Sequence, residues 1–471
     1  MRRGSAMHKK VVRKNSQFRV DEMVNALRRE IGTGELGVGT HLPSESDLEK
    51  RFKLGNNSVR KGLEQLVEEG LIQKIPRVGN RVIGVPSAEH TVIKLGIYNT
   101  TDRETELSGL LETFHARHPN IRVQTVMIPT NAYTGFIQQH MAEGSLDAAF
   151  INNNTYRQFS GSMKTELLEP LKSVPDYYPF TTEPFRMDGQ LLVRPLIFSP
   201  LILCYNRDHM REQNIPEPAE GWTWDDLIGL AGKLSVENER FGFCFHLLSR
   251  NRWPVFLLQS GIDFTPDEQG LFHLPEDRLT ECLSVCRELI GQPNVFPTML
   301  SGLDGTTVEW FMDGKVSMIM TTYFALNQLK RAGFAYDLAP LPTVRENRNL
   351  LNIIGLIVNR KSRNKEAAAL LADFLGSYEA QLAIRRQTLS IPAHREAAEW
   401  QGEAAVPQPS HFRMFREMIP SFRLIEHLPL DSRELLALQK ELELYLTGLQ
   451  DGTTMCRRME QALYETNRIG S

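Results

Sequence analysis

Residues 20–84 decide the fold at the N-terminal end of the chain. They read VDEMVNALRREIGTG (20–34), HLPSESDLEKRFKLGNNSVRKGLEQLVEEGL (41–71) and IQKIPRVGNRVIG (72–84). The first block repeats apolar residues at helical spacing, and the second holds two short helical runs separated by the turn at Leu54 and Gly55. The third holds two short strand-like runs around a glycine-containing turn. The stretch therefore predicts a helix, a helix-turn-helix and a two-stranded wing.

Side chains that can cap helices mark where these helices begin. We expect Asp21 to cap the first helix and Ser44 to cap the second, with Asp47 three residues later in a capping-box-like position. Asn56 or Asn57 is expected to cap the third helix. The second helix of a helix-turn-helix enters the major groove of DNA, so this stretch is a candidate DNA reader.

The distribution of charge divides the chain into a basic and an acidic part. Residues 1–85 hold 17 Lys and Arg against 10 Asp and Glu, whereas residues 86–471 hold 37 against 47. A basic N-terminal part on an acidic remainder is expected when only the former contacts a polyanion. A solvated charged face on a small domain would give the same balance, so charge alone does not decide between them.

The sequence motifs favour DNA binding over a merely solvated charged face, because they resemble those of a known protein family. This stretch resembles the winged helix of GntR-type bacterial transcription regulators in LPSESDLEKRF, NNSVRKGLEQLVEEGLI and RVGNRV. The family commonly carries arginine where this chain has Ser46, and Ser-Arg where it has Gly55-Asn56, so we expect its operator to differ. The resemblance implies double-stranded DNA as a partner and these DNA-binding residues: Ser44, Ser46, Asn56, Asn57, Ser58, Arg60, Lys61, Lys74, Arg77, Gly79 and Arg81.

The chemistry of these side chains suits base and phosphate contacts. Asn56 and Asn57 can each read adenine through paired amide hydrogen bonds, and Arg60 can read guanine or hold a phosphate. Arg60 could instead only pack or cap the helix. A β-ribbon carrying Lys74, Arg77 and Arg81 can lie along phosphates or probe a minor groove.

Composition excludes several classes of protein. Hydrophobic content of 41% and charged content of 24% are ordinary for a globular protein, and no apolar run of 18 residues appears. The N-terminus is basic but lacks the apolar core of a secretory signal, so we expect a cytoplasmic protein. Its natural start could be Met1 or Met7. Five scattered cysteines predict reduced thiols rather than disulfides or a metal site, although Cys282 and Cys286 would share a helix face.

No constellation of catalytic residues is recognisable. The sequence has no Gly-x-Ser-x-Gly elbow, no phosphate-cradling glycine loop after a strand and no metal-ligand spacing. It also lacks the transaminase-like order of motifs expected of a PLP-dependent fusion. We therefore expect neither an enzyme nor a cofactor.

The long remainder of the chain begins as an α/β protein. Strands at 92–99, 121–128 and 147–154 alternate with helices at 104–118 and 133–143. This order predicts a doubly wound sheet, which binds ligands beyond the carboxyl ends of its strands. Those ends fall at 99–102 and 152–156.

A second resemblance covers residues 92–471. The segments MDGQLLVRPLIFSPLILCYNRDHMREQNIPEPAEGWTWDDLIGLAGKL, EWFMDGKVSMIMTTYFALNQL, YDLAPLPT, NIIGLIVNRKSRNKEAAALLADFL and LSIPAHREA resemble, in this order, family 1 extracellular solute-binding proteins. These are the sugar-capturing receptors of ABC importers. The resemblance implies a two-lobed, type II periplasmic-binding-protein-like fold that closes around a ligand. Its hinge would be crossed near Phe198–Leu201, Ala339–Thr343 and Leu389–Pro392, with lobe 1 at about 92–199 and 340–390 and lobe 2 at about 200–339 and 391–471.

Sugar sites combine planar hydrogen-bonding groups with stacked aromatic rings. The resemblance places Trp253, Tyr323 and Phe324 at ligand-contact positions, with Phe324 where the family often has tryptophan and Tyr323 where it often has proline. Core packing is the alternative explanation for each of the three rings. The predicted ligand-binding residues are Asn99, Asp102, Asn152, Asn154, Arg250, Asn251, Trp253, Tyr323, Phe324 and Gly355.

The predicted organisation is a basic extension (1–19), a winged helix-turn-helix domain (20–85), a linker (86–91) and a solute-binding-like effector domain (92–471). It favours a transcription regulator, dimeric by its family resemblance, whose effector domain senses a mono- or oligosaccharide and alters operator binding by lobe closure. One alternative is a regulator whose large domain is a ligand-free oligomerisation and protein-contact platform. Another is a binding protein that retains a vestigial DNA-binding segment.

Overall fold

A computed structural model describes residues 19–20, 22–24, 26–76, 78–84, 91–129, 132–218, 221–297 and 304–470. The chain divides into two compact units, Met1–Thr91 with Pro119–Arg122, and Val92–His118 with Val123–Ser471. We call residues 19–84 the head and residues 91–470 the body. Asp21, Arg77, the predicted extension before Arg19 and the predicted linker before Thr91 lie outside the described residues.

The head has the predicted winged helix-turn-helix fold. Helical residues at 22–24 and 26–32 precede the helices Glu45–Phe52 and Asn56–Glu68. Strands β1 (Ile72–Ile75) and β2 (Gly79–Val82) then pair antiparallel as the wing. Their shared core is apolar and contains Met23, Leu27, Leu48, Val59, Leu63, Leu66 and Val82.

One cap in the head is confirmed and another prediction is wrong. The Ser44 side chain accepts a hydrogen bond from the Asp47 N–H at 3.2 Å, so Ser44 caps its helix. The next helix is capped instead by Gly55, which has no side chain to donate or accept, and Asn56 and Asn57 form its first turn. Their amides are thereby left free of a capping role.

The body is built on one large mixed sheet. The body strands are β3 (Thr91–Ile97), β4 (Ile121–Met127), β5 (Ala148–Asn152), β6 (Arg186–Met187), β7 (Gln190–Leu191), β8 (Arg194–Asn206), β9 (Phe241–Cys244), β10 (Val316–Thr322), β11 (Tyr336–Ala339), β12 (Asn349–Val358), β13 (Ile391–Pro392) and β14 (Phe422–Arg423). The strand order of the sheet is β4-β3-β5-β12-β8-β10-β9, with β11 and β13 also paired to β8 and β14 to β12. A separate hairpin pairs β6 with β7.

Helices cover this sheet. The α-helices of the body are Thr101–Thr105, Leu107–Arg117, Tyr133–Ala142, Asn153–Arg157, Gly161–Leu167, Pro179–Thr182, Arg207–Glu212, Trp224–Leu234, Pro254–Ser260, Glu276–Ile290, Asp304–Met312, Tyr323–Leu326, Lys365–Leu375, Tyr378–Gln387, Arg395–Glu399, Phe415–Met418, Ser432–Leu446 and Gly452–Gly470. Cys282 and Cys286 lie on one helix, as expected, and both are buried thiols.

Strand β8 connects two apolar cores. Its first half pairs with β12 up to Pro200, and from Leu201 onward it pairs with β10 and β11. The Asn349 side chain binds the backbone of β8 where the strand changes partners. It accepts from the Leu201 N–H at 3.1 Å and donates to the Leu201 carbonyl at 2.8 Å. One core contains Ile151 and Phe198, and the other contains Leu203.

Two predicted elements are interrupted in the structure. The predicted helix 104–118 is two helices, because Glu106 adopts a left-handed conformation with φ 56° between them. The predicted strand 147–154 ends at Asn152, whose side chain accepts from the Thr155 N–H at 2.8 Å and caps a short helix. The residues that were predicted to end the strand therefore begin a helix that Asn152 caps.

Candidate functional site

The second helix of the helix-turn-helix presents a polar face to solvent. Asn56, Asn57, Arg60 and Lys61 are exposed on it, and Ser58 is half-buried. All five side chains carry hydrogen-bond donors, which are the groups that read bases and phosphates in a major groove. The helix therefore has the chemistry of a DNA-reading element.

Carboxylates of the preceding helix already hold two of these donors. Arg60 Nε donates to Glu45 Oε2 at 2.9 Å, and Asn56 Nδ2 donates to Glu49 Oε1 at 2.7 Å. Glu45 and Glu49 are four residues apart, so they share one face of their helix. Any base or phosphate that engages Arg60 or Asn56 must compete with these carboxylates.

The wing places its basic residues differently. Lys74 is exposed, whereas Arg81 Nε donates to the Gly39 carbonyl at 2.9 Å and so tethers the wing to the loop before the helix-turn-helix. Gly79 has φ 124°, a conformation that side-chain-bearing residues rarely adopt. Ser44 is engaged as a cap, and Ser46 is exposed.

In the body, the structure brings together two predicted ligand-binding residues. Asn154, just after β5, donates a hydrogen bond from its amide to the amide oxygen of Asn251, which is 97 residues later in the chain. Asn152 lies beside Asn154 but uses its oxygen to cap the helix Asn153–Arg157. Asn154 and Asn251 are both half-buried, so their remaining amide groups are available to a small polar ligand.

The three predicted aromatic contacts are buried. Trp253 is 1% exposed and its indole N–H has no partner among the described residues. Tyr323 is fully buried, and its hydroxyl donates to the Phe412 carbonyl at 2.9 Å while its backbone N–H donates to Ser199 Oγ at 2.8 Å. Phe324 is also buried. In this conformation the three rings pack in the interior of the protein.

The remaining predicted ligand residues are dispersed. Asn99 and Arg250 are exposed, and the Asp102 carboxylate accepts from the Ser108 N–H at 2.7 Å. Gly355 lies within β12, where a Cβ would stand 2.6 Å from the Arg194 carbonyl. The close approach of two strands explains the glycine at that position.

Sequence reasoning missed a buried carboxyl near the end of β3. Glu104 is 8% exposed, and burial raises its pKa to about 7. It lies on the short helix that follows Asn99, close to Tyr98, whose ring stacks on Tyr133 at 4.0 Å between centroids. A neutral carboxyl can both donate and accept a hydrogen bond.

A cavity of about 410 Å³ lies beside the segment 339–343. Its lining includes Trp222, whose indole N–H donates to the Pro340 carbonyl at 3.1 Å, and Gln259, whose amide donates to the Pro342 carbonyl at 2.9 Å. Hydrogen bonds from two side chains thus fix a proline-rich segment that the sequence predicted as a crossing between lobes.

Metal and membrane features are absent from the ranges that the structure describes. No group of three or more His, Cys, Asp or Glu side chains could hold a metal ion there. No helix in those ranges combines the length and the hydropathy needed to cross a membrane.

Comparison with known families identifies both parts of the chain. The family described as "Bacterial extracellular solute-binding protein" matches residues 109–412. The chain belongs to this solute-binding protein family. Its N-terminal segment, residues 19–82, matches the gntR family of bacterial regulatory proteins and is a GntR helix-turn-helix domain. Neither family is a family of enzymes.

Two curated relatives match different parts of the molecule. The galactooligosaccharide-binding protein of Bacillus subtilis (strain 168) is 24% identical over 223 residues, covering 45% of this chain and 51% of that protein. The mannosyl-D-glycerate transport/metabolism system repressor MngR of Escherichia coli (strain K12) is 25% identical over 156 residues, covering 33% of this chain and 60% of that protein. The chain thus spans about half the length of the curated relatives it matches.

Solved structures show the fold of the solute-binding domain. The ABC substrate-binding protein Lmo0181 from Listeria monocytogenes, in complex with cycloalternan, matches with a TM-score of 0.68 and 21% identity over 80% of this chain and 99% of that one. The maltose-bound MalE3 of T. maritima matches with a TM-score of 0.68 and 19% identity over 79% and 99%. The predicted two-lobed α/β solute-binding fold is confirmed.

Proposed function

We propose that this protein is a DNA-binding transcription regulator whose solute-binding domain senses a mono- or oligosaccharide and alters operator binding by lobe closure. The observation that carries the proposal is the presence of a GntR domain and a solute-binding domain in one chain. Because its partner would be DNA, we propose that it acts in the cytoplasm. It would bind as a homodimer to half-sites about one helical turn apart.

The GntR domain supplies the output. Exposed Asn57, Lys61 and Lys74 are free to contact bases and phosphates, and Arg60 becomes available once it leaves Glu45. An exposed ion pair of this kind contributes about 0–1 kcal/mol, so DNA can displace it readily.

The solute-binding domain supplies the input. The predicted lobes place Asn154 on one side of the cleft and Asn251 on the other, and their hydrogen bond supports a closed arrangement. A sugar hydroxyl inserted between them would exchange this bond for two new ones. The sugar would then bind one arrangement of the lobes more tightly than the other. That difference in binding free energy is what can change the affinity for DNA.

The burial of Trp253, Tyr323 and Phe324 favours a second function. A sugar site normally exposes aromatic rings for stacking, and these three are packed in the core. If no ligand binds, the solute-binding domain would act as an oligomerisation and protein-contact platform.

A panel of ligands separates the two functions. Thermal unfolding of the full chain would be followed with monosaccharides, maltose, maltotriose, amino acids and short peptides. A specific ligand at 100 times its Kd stabilises the folded state by about 2.7 kcal/mol, which is readily measured. A saturable response to a sugar supports the sensor, and the absence of any response supports the platform.

A further inference from the structure

The cavity beside the segment 339–343 lies between the two apolar cores of the body. We call it the Pro340 cavity. Its volume is about 410 Å³, within the range of about 300–1,000 Å³ that is typical of small-molecule sites. Leu341 belongs to the core that contains Leu203, Met414 belongs to the core that contains Phe198, and both side chains line the cavity. A ligand held here would therefore contact both cores.

Much of the lining of the Pro340 cavity is apolar. Trp222 is half-buried, and its indole N–H donates to the Pro340 carbonyl at 3.1 Å, which fixes the ring in place. The buried side chains of Leu341, Met414 and Met418 also line the cavity. Methionine side chains are flexible and polarisable, so they adapt to the shape of an apolar group. The cavity can therefore accept an apolar side chain of variable shape.

Two side chains of opposite charge line the same cavity without being used elsewhere. Arg348 is half-buried and Glu417 is exposed. Within the described residues neither charged group forms a hydrogen bond or an ion pair, so the two do not pair with each other. Hydrogen bonds between charged groups are roughly twice as strong as those between neutral groups. A ligand that carries both a carboxylate and an ammonium group would supply each side chain with a charged partner.

His411 adds an oriented polar group to the lining. The fully buried Asp337 accepts from the His411 backbone N–H at 2.9 Å, and its other carboxylate oxygen lies 3.0 Å from Nδ1 of the ring. These two contacts hold the ring, and Nε2 is left without a partner in the part of the chain that the structure describes. That nitrogen can accept from an ammonium group or, when the ring is protonated, donate to a carboxylate.

We propose that the Pro340 cavity binds a free α-amino acid with an apolar side chain. Its carboxylate pairs with Arg348, its ammonium group pairs with Glu417, and its side chain lies against Trp222 and the two methionines. The opposite charges favour this zwitterion over a sugar, because a neutral sugar offers no charge to either side chain. The apolar part of the lining favours a side chain such as that of leucine, methionine or phenylalanine over a polar one.

The site goes beyond the proposed function and does not rest on it. Asn154 and Asn251, the predicted sugar-binding residues that the structure brings together, are not among the described residues that line the cavity. Asn349 does line it, and this side chain binds the backbone of β8 at Leu201, where the strand changes partners. An amino acid in the cavity would thus bridge the segments 339–349 and 411–421.

The test measures binding of amino acids and their analogues to the full chain at pH 7. L-Leucine, L-methionine and L-phenylalanine should each give a saturable rise in the unfolding temperature, and calorimetry would give their Kd values. Leucinamide lacks the carboxylate, and 4-methylpentanoate lacks the ammonium group. Each should bind about tenfold more weakly than leucine or worse, because a hydrogen bond to a charged group is worth about 1.5–3 kcal/mol.

Two variants assign the charged groups of the ligand to their partners. Arg348→Gln should weaken leucine binding by about tenfold or more and leave leucine and leucinamide with similar affinities, because the carboxylate has lost its partner. Glu417→Gln should do the same for leucine and 4-methylpentanoate. Arg278→Gln and Glu403→Gln are the matched controls, since both residues are exposed, lie outside the cavity lining and form no ion pair within the described residues. Both controls should bind leucine as the unmodified protein does.

A variant of the predicted sugar site tests the location. Asn251→Ala should leave leucine binding unchanged, and a loss of leucine binding in it would overturn the proposal by moving the amino acid to the sugar site. The proposal is also overturned if no apolar amino acid gives a saturable response, or if leucinamide binds the unmodified protein as tightly as leucine does. Unchanged leucine binding in either Arg348→Gln or Glu417→Gln would overturn it as well.

Discussion

The substitution Glu45→Gln should tighten DNA binding by releasing Arg60. In the structure Glu45 accepts from Arg60 at 2.9 Å, and the two side chains are 25% and 54% exposed. An exposed pair of this kind is worth about 0–1 kcal/mol. Since 1.4 kcal/mol is tenfold in affinity, freeing Arg60 should strengthen DNA binding by up to about fivefold.

The assay is fluorescence anisotropy with a duplex from the region upstream of the protein's own gene, at several salt concentrations. Glu30→Gln is the matched control, because Glu30 pairs with Arg51 in the same head and the change in net charge is identical. Electrostatic binding of DNA weakens as salt rises, so the gain should be largest at low salt. A loss of affinity in Glu45→Gln would contradict this reasoning, because it would show that Glu45 orients Arg60 for DNA binding. An equal gain in Glu30→Gln would show that only the net charge matters.

Three further predictions concern single residues. Arg60→Ala should weaken binding to the same duplex by about 1–3 kcal/mol, the range for a residue that reads a base, whereas a vestigial head would show almost no change. Asn251→Ala should lower sugar affinity about two- to tenfold by removing a hydrogen bond, with exposed Asn294→Ala as control; calorimetry would measure both. Glu104→Gln should stabilise the protein by up to about 3 kcal/mol at pH 8 but little at pH 4.5, because the raised folded pKa means that stability falls as pH rises from about 4.5 to 7. Urea unfolding at both pH values tests this, and an equal effect at pH 4.5 and pH 8 would contradict it.

The fold was predictable because its signals are local. Helical spacing at Met23, Leu27 and Ile31, the cap at Ser44 and the alternation of strands and helices after residue 91 each follow from nearest-neighbour chemistry. The two lobes of the body, in contrast, were expected only because its ordered motifs resemble those of family 1 extracellular solute-binding proteins.

The site was less predictable because it depends on tertiary packing. Trp253 and Tyr323 have the same sequence signal whether a ring faces a ligand or the core, and only the structure shows them buried. The pairing of Asn154 with Asn251 joins residues 97 positions apart, for which the sequence has no signal.

The central claim is that binding in the body changes DNA binding by the head. The most direct measurement is the affinity of the full chain for the duplex upstream of its own gene, with and without the sugar that raises its unfolding temperature. Coupling of about 1–3 kcal/mol predicts a change in affinity of about 5–150-fold. Equal affinity with and without that sugar would contradict the account.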